Sequence, residues 1–109
     1  MEEIVLLLSQ LGIPYAYDHF AEGEAPSPPF VCYLCPTSDN FSADGKVYRK
    51  FNDVHIELYT DKKEPATELL LESVLDNASV FYNKSETWIE SEKLYEVLYT
   101  FFMEVNENA

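Results

Sequence analysis

Residues 46–65, KVYRKFNDVHIELYTDKKEP, decide the fold. From Val54 the run alternates, with Val54, Ile56 and Leu58 on one side and His55, Glu57 and Tyr59 on the other, the period of two that marks a half-buried strand. This reads as the central strand of a sheet. Its first half is apolar in the opposite phase, Val47 and Phe51 against Lys50 and Asn52, so a bulge or bend near 51–53 is expected to turn the buried set over. Polar turn residues follow, and then Pro65, placed to open a helix.

On the C-terminal side a helix is predicted over 65–78. Leu71, Val74, Leu75 and Ala78 form its apolar stripe, and Glu68, Glu72 and Asp76 are assigned to solvent. Residues 80–82 and 87–90 read as short strands separated by polar 83–86. Residues 94–105 fit a helix by the spacing of Leu94, Leu98, Phe101 and Val105. Their density of Tyr, Val, Thr and Phe, with Tyr95, Val97, Tyr99, Phe101 and Met103 on one side, instead favours a long strand.

On the N-terminal side Phe30 to Cys35 reads as a strand, its start fixed by Pro28 and Pro29 and its end by Pro36. Residues 37–45 are polar and fit a hairpin loop. Phe41 within that loop either tucks back onto its own sheet or anchors a partner. Residues 21–29, with Gly23, Pro26, Pro28 and Pro29, are irregular, and 15–20 are short, aromatic and extended. Ile4, Leu7, Leu8 and Leu11 give an amphipathic helix closed by Gly12 and Pro14. The expected fold is α+β: one domain, residues 1–109, with a twisted, mostly antiparallel sheet packed against two helices.

Composition limits the function. A chain of 109 residues buries roughly two-thirds of its unfolded surface, so it needs no disulfide framework. Its two cysteines, Cys32 and Cys35, read as free thiols. No apolar run approaches the length of about 20 residues that spans a bilayer. Met1-Glu2-Glu3 lacks the positive start of a secretory signal, which places the chain in a cytoplasm. The formal charge of −13 opposes binding to phosphate backbones, so no specific nucleic-acid partner is expected. That charge is uneven: Lys46, Arg49, Lys50, Lys62 and Lys63 supply five of the seven basic residues, a basic patch on an acidic body.

Sites for chemistry are scarce. Cys32 and Cys35 have Cys-x-x-Cys spacing, but in an extended strand residues three apart face opposite ways, which a redox pair cannot use. His19 and His55 have no second ligand at zinc-site spacing. No serine sits in a glycine elbow, and Gly12, Gly23 and Gly45 are too isolated to cradle a phosphate. The reading is therefore of a non-enzyme without cofactor or metal.

The segments 28–31 (PPFV), 41–48 (FSADGKVY), 56–65 (IELYTDKKEP) and 84–95 (KSETWIESEKLY) resemble small proteins of tailed bacteriophages and prophages encoded among head–tail joining and tail genes. The resemblance implies a tail terminator or tail completion protein. Such proteins cap the finished tail tube as a homo-oligomeric ring, commonly a hexamer, and meet head–tail connector proteins in the neck of the virion after assembly in the host cytoplasm. Another connector or minor tail component is the neighbouring alternative, and an acidic DNA-mimic inhibitor the alternative of a different class. The residues themselves nominate Phe41, Lys46, Tyr48, Arg49 and Lys50 as the subunit or partner interface, since a ring needs one patch to meet a different patch on the next copy.

Overall fold

The computed structural model of the chain describes residues 2–43 and 46–104, and of 39–43 and 46–49 the backbone alone. In chain order the elements are α1 (Glu2–Ser9), β1 (Tyr15–Tyr17), β2 (Phe30–Ala43), β3 (Lys46–Thr60), α2 (Pro65–Asn77), β4 (Asn83–Ile89) and β5 (Leu94–Glu104). The fold is α+β. Five strands form one sheet in the order β1-β2-β3-β5-β4, in which β1 runs parallel to β2 and every other pairing is antiparallel. The expected central strand is β3.

Both helices cover one face of that sheet. α1 starts with Glu2 and Glu3, where the helix dipole favours acids, and its chain turns away through Gly12 at φ +69°. α2 opens with Pro65 in its first turn, where the missing N–H costs no hydrogen bond. Ile4, Leu8, Leu71 and Leu75 pack against Val54, Ile56, Leu58, Val97 and Tyr99, all fully or almost fully buried. The long C-terminal strand is as predicted, with Tyr95, Val97, Tyr99, Phe101 and Met103 packed in or against this core.

Four expectations are corrected. β2 does not stop at Pro36 but continues to Ala43, and the hairpin loop predicted over 37–45 is mostly strand. A register shift between Leu34 and Thr37 absorbs the proline, which can sit at a bulge because its missing N–H then breaks no ladder bond. The bulge expected in β3 near 51–53 is instead on β2, opposite Asp53 and His55; β3 and β5 pair without a shift from Phe51 to Thr60. Residues 80–82 are no strand, and Phe81 there is 95% exposed. The strand predicted over 87–90 begins at Asn83, the polar 83–86 being an exposed edge strand.

Glu68 is a fifth. Assigned to solvent by its charge, it is 3% exposed. Positions 68, 71 and 75 share one helical face, so Glu68 points inward with Leu71 and Leu75. Its Oε1 accepts from the ammonium groups of Lys63 and Lys84, each at 2.8 Å, and Oε2 has no partner among the described residues. Lys84 also reaches Glu72 (2.8 Å), which accepts from the Tyr99 hydroxyl (2.7 Å), and Lys63 reaches Glu86 (2.5 Å). This network fastens α2 to β4 and β5.

Candidate functional site

Strand geometry places alternate residues on opposite faces, so the face away from the helices follows from the register. β3 sends Asp53, His55, Glu57 and Tyr59 to it. Their cross-strand partners on β5 are Phe102, Thr100, Leu98 and Glu96. No helix covers this face. Along β3 and β5 its positions are half-buried by their neighbours, except Phe102, which is 64% exposed. On the β2 side of this face Phe30 and Cys32 are buried, and the irregular segment before β2 reaches it where Phe20 meets Phe30 edge-on (5.5 Å between ring centroids) and Phe30 stacks on Tyr59 (5.2 Å).

Near the middle of this face two carboxylates share one phenol. The Tyr59 hydroxyl lies 2.8 Å from Glu96 Oε2 and 3.2 Å from Glu57 Oε1. It has a single proton to donate, so only one carboxylate is served at a time. Burial, and then the Glu96 charge, push the Glu57 carboxyl above the ordinary carboxylate range. Burial and the hydrogen bond to Glu96 push the Tyr59 phenol far up, so it stays protonated. Among the described residues neither acid is paired with a cation.

The remaining polar groups of the face are local. Asp53 accepts from Thr37 (3.2 Å) and lies 3.3 Å from His55 Nε2. Exposed His19 pairs with its neighbour Asp18 (2.8 Å). Cys32 and Cys35 are both unbridged. Burial, followed by Glu57, Asp18 and Glu96, pushes the Cys32 thiol up to about 11, which leaves it almost entirely protonated and a poor nucleophile at neutral pH. Cys35 packs against the helix-covered core, opposite to Cys32, as their strand spacing requires. Among the described residues no three His, Cys, Asp or Glu side chains converge as a metal site.

The second feature is the limb formed by the outer parts of β2 and β3. β5 ends at Glu104, opposite Phe51, while the β2–β3 ladder continues from Asn40↔Lys50 to Ala43↔Lys46. Beyond Phe51 this two-stranded limb has no third strand among the described residues. The nominated interface residues lie on it: Phe41 pairs with Arg49 in register, Lys46 with Ala43, and Tyr48 falls at the register shift next to Phe41 and Ser42. The side chains of Phe41, Lys46, Tyr48 and Arg49 lie outside the described residues. Lys50, half-buried, sits where the limb leaves the three-stranded part.

The basic patch expected over 46–63 is therefore divided. Lys63 belongs to the network beneath α2, where its hydrogen bonds to Glu68 and Glu86 hold its ammonium well above the ordinary value. Lys46, Arg49 and Lys50 belong to the limb. The sequence reading missed the Glu57–Tyr59–Glu96 group. Alternation already put Glu57 and Tyr59 on one side of β3, but only the pairing of Tyr59 with Glu96 brings in the second acid.

No protein-family model matches this chain, and no curated protein matches it. A solved structure, the virion of a native gene transfer agent particle, contains a chain of the same fold. The two superpose with a TM-score of 0.61 over 92% of this chain and 84% of that one, at 15% identity. At this identity it is a likeness of fold.

Proposed function

We infer that this chain is a structural subunit of a phage-type virion and, within that class, a tail terminator. In this role, copies close into a ring, commonly sixfold, that caps the tail tube and presents the joining surface for the head. The observation that carries the reading is the fold shared, over nearly the whole chain, with a chain of a gene transfer agent virion. The surface agrees with it. A projecting limb and an uncovered sheet face are different patches on one molecule, which is what a heterologous, ring-closing contact needs. The exposed edge strand β4 and the outer edge of β2 beyond Tyr33 could extend sheet pairing between copies.

The chain acts by shape and charge, without catalysis, cofactor or membrane span. Burial holds the thiol of Cys32 protonated, a form unsuited to nucleophilic attack. None of its described helices is long and apolar enough to cross a bilayer. A DNA mimic would display its acids in a row like phosphates. Here Glu68, Glu72 and Glu86 are instead spent on Lys63 and Lys84.

Sedimentation across a concentration series, with electron microscopy in the presence of tail tubes, tests the proposal. Rings seated on tube ends are expected. A chain that stays monomeric at every concentration and beside assembled tubes would refute it, and inhibition of a restriction nuclease would point to the mimic.

A further inference from the structure

We propose that the open face around Glu57, Tyr59 and Glu96 is the receiving surface for the β2–β3 limb of a second copy of this chain. The inference rests on the ring reading and names its contact. Charge selects the occupant. Asp53, Glu57 and Glu96 lie on this face, and where β5 pairs with β3, from Phe51 to Thr60, no Lys or Arg occupies a described strand position facing the same way; Arg49, in phase with these acids, lies beyond, on the limb. Of the protein's seven basic residues, Lys63 and Lys84 are bound into the network under α2, Lys93 pairs with Glu90, and Lys62 lies exposed between β3 and α2. Lys46, Arg49 and Lys50 are concentrated on the limb.

Apolar character matches as well. Leu98 and exposed Phe102 run beside the acids on β5, and the limb carries Phe41, Val47 and Tyr48 in sequence. Seating such a limb would bring a cation to the carboxylate that the single Tyr59 proton leaves unserved, in a setting where desolvation strengthens the attraction.

The contact has to be between copies. Lys46 and Glu57 lie on the same strand, and at about 3.3 Å per residue they are roughly 35 Å apart. The limb is held by the ladder out to Ala43↔Lys46, and cannot fold back onto Glu57 without breaking that ladder. A limb that reaches only a neighbour's face, while its own face takes another limb, propagates head to tail, and closes as a ring where the rotation from copy to copy closes.

Charge exchange tests this. One chain carries Lys46→Glu and Arg49→Glu, and another carries Glu57→Lys and Glu96→Lys. If circular dichroism shows the second unfolded, Glu57→Gln with Glu96→Gln replaces it as a neutral face. Association is followed by sedimentation at low and moderate salt. Each reversed chain alone is expected to associate about tenfold or more weakly than the wild type, and an equimolar mixture of the two reversed chains to recover assembly. With the neutral face, the expected result is weakened association that no longer depends on the limb charges. Wild-type rings together with undiminished assembly of either variant, or a mixture of reversed chains that fails to recover, would overturn the limb contact and leave the ring reading standing. A wild-type chain that is monomeric throughout would remove both.

Discussion

The two faces of the sheet treat a glutamate in opposite ways. Beneath α2, Glu68 is 3% exposed and receives two lysines. On the open side, Glu57 is half-buried and, among the described residues, has only its share of one tyrosine proton. A buried acid answered inside the chain is architecture. A half-buried acid with no cation of its own lowers the stability of the isolated subunit, a cost that a partner bringing positive charge would relieve.

The comparison breaks first at the lysines. Replacing Lys63 and Lys84 together by Met leaves the Glu68 carboxylate bare in the core and is expected to cost about 3 kcal/mol or more. Glu68→Leu frees both lysines to swing into water and should cost under about 1 kcal/mol. Urea unfolding of the two variants checks the asymmetry, and equal losses would mean that the network stabilises through attraction itself.

Truncation gives the next contrast. Ile56→Ala, at a position 0% exposed, should lose about 2–5 kcal/mol. Leu98→Ala, on β5 but facing the open side, should lose under about 1 kcal/mol in the monomer. Similar losses at both sites would mean that the open face is packed.

Acid sharpens the contrast in sign. Burial pushes the Glu72 carboxyl up, but the bonds from Lys84 and Tyr99 outweigh it and leave it below its ordinary value of 4.5. A depressed carboxyl contributes stability above that value and loses it as pH falls through the folded value. Unfolding free energies measured between pH 7 and pH 3 should therefore drop below about pH 4.5, and Lys84→Met should flatten the drop.

Glu57 is the reverse case, raised by burial, then by Glu96 and Asp18, against the lowering effects of Tyr59 and His55. Its contribution is favourable at low pH and is lost as pH rises through the folded value. Glu57→Gln should therefore stabilise the monomer at pH 7 by about 0.2–1 kcal/mol, the usual scale of cross-strand charge pairs. That gain should vanish below the ordinary carboxylate value of 4.5. A stability loss at pH 7 would mean that Glu57 is already satisfied within its own chain.

Much of the architecture is legible in the sequence because it is written in local periods. Alternation around Ile56 marks the central strand, Pro65 the start of α2, and the Tyr and Val density after Leu94 selects strand over helix. What was hidden depends on partners far along the chain. Glu68 reads as a solvent residue until Lys63 and Lys84 arrive from a turn and from the edge strand. Pro36 reads as a strand end because the bulge that tolerates it exists only in the pairing with β3. The polar 83–86 reads as loop because an edge strand exposed on both sides carries no alternation. For the site, the limb residues stood out by charge, but their receiving surface did not. Glu57 and Glu96 meet only through strand register.

The central claim is that the molecule works through its uncovered sheet face. Hydroxyl-radical footprinting of assembled and dissociated protein tests this most directly. The account predicts that Tyr59, Leu98 and Phe102 become protected on assembly while Leu69 and Phe81 keep their reactivity. Protection of Leu69 and Phe81 with Tyr59, Leu98 and Phe102 unchanged would contradict it.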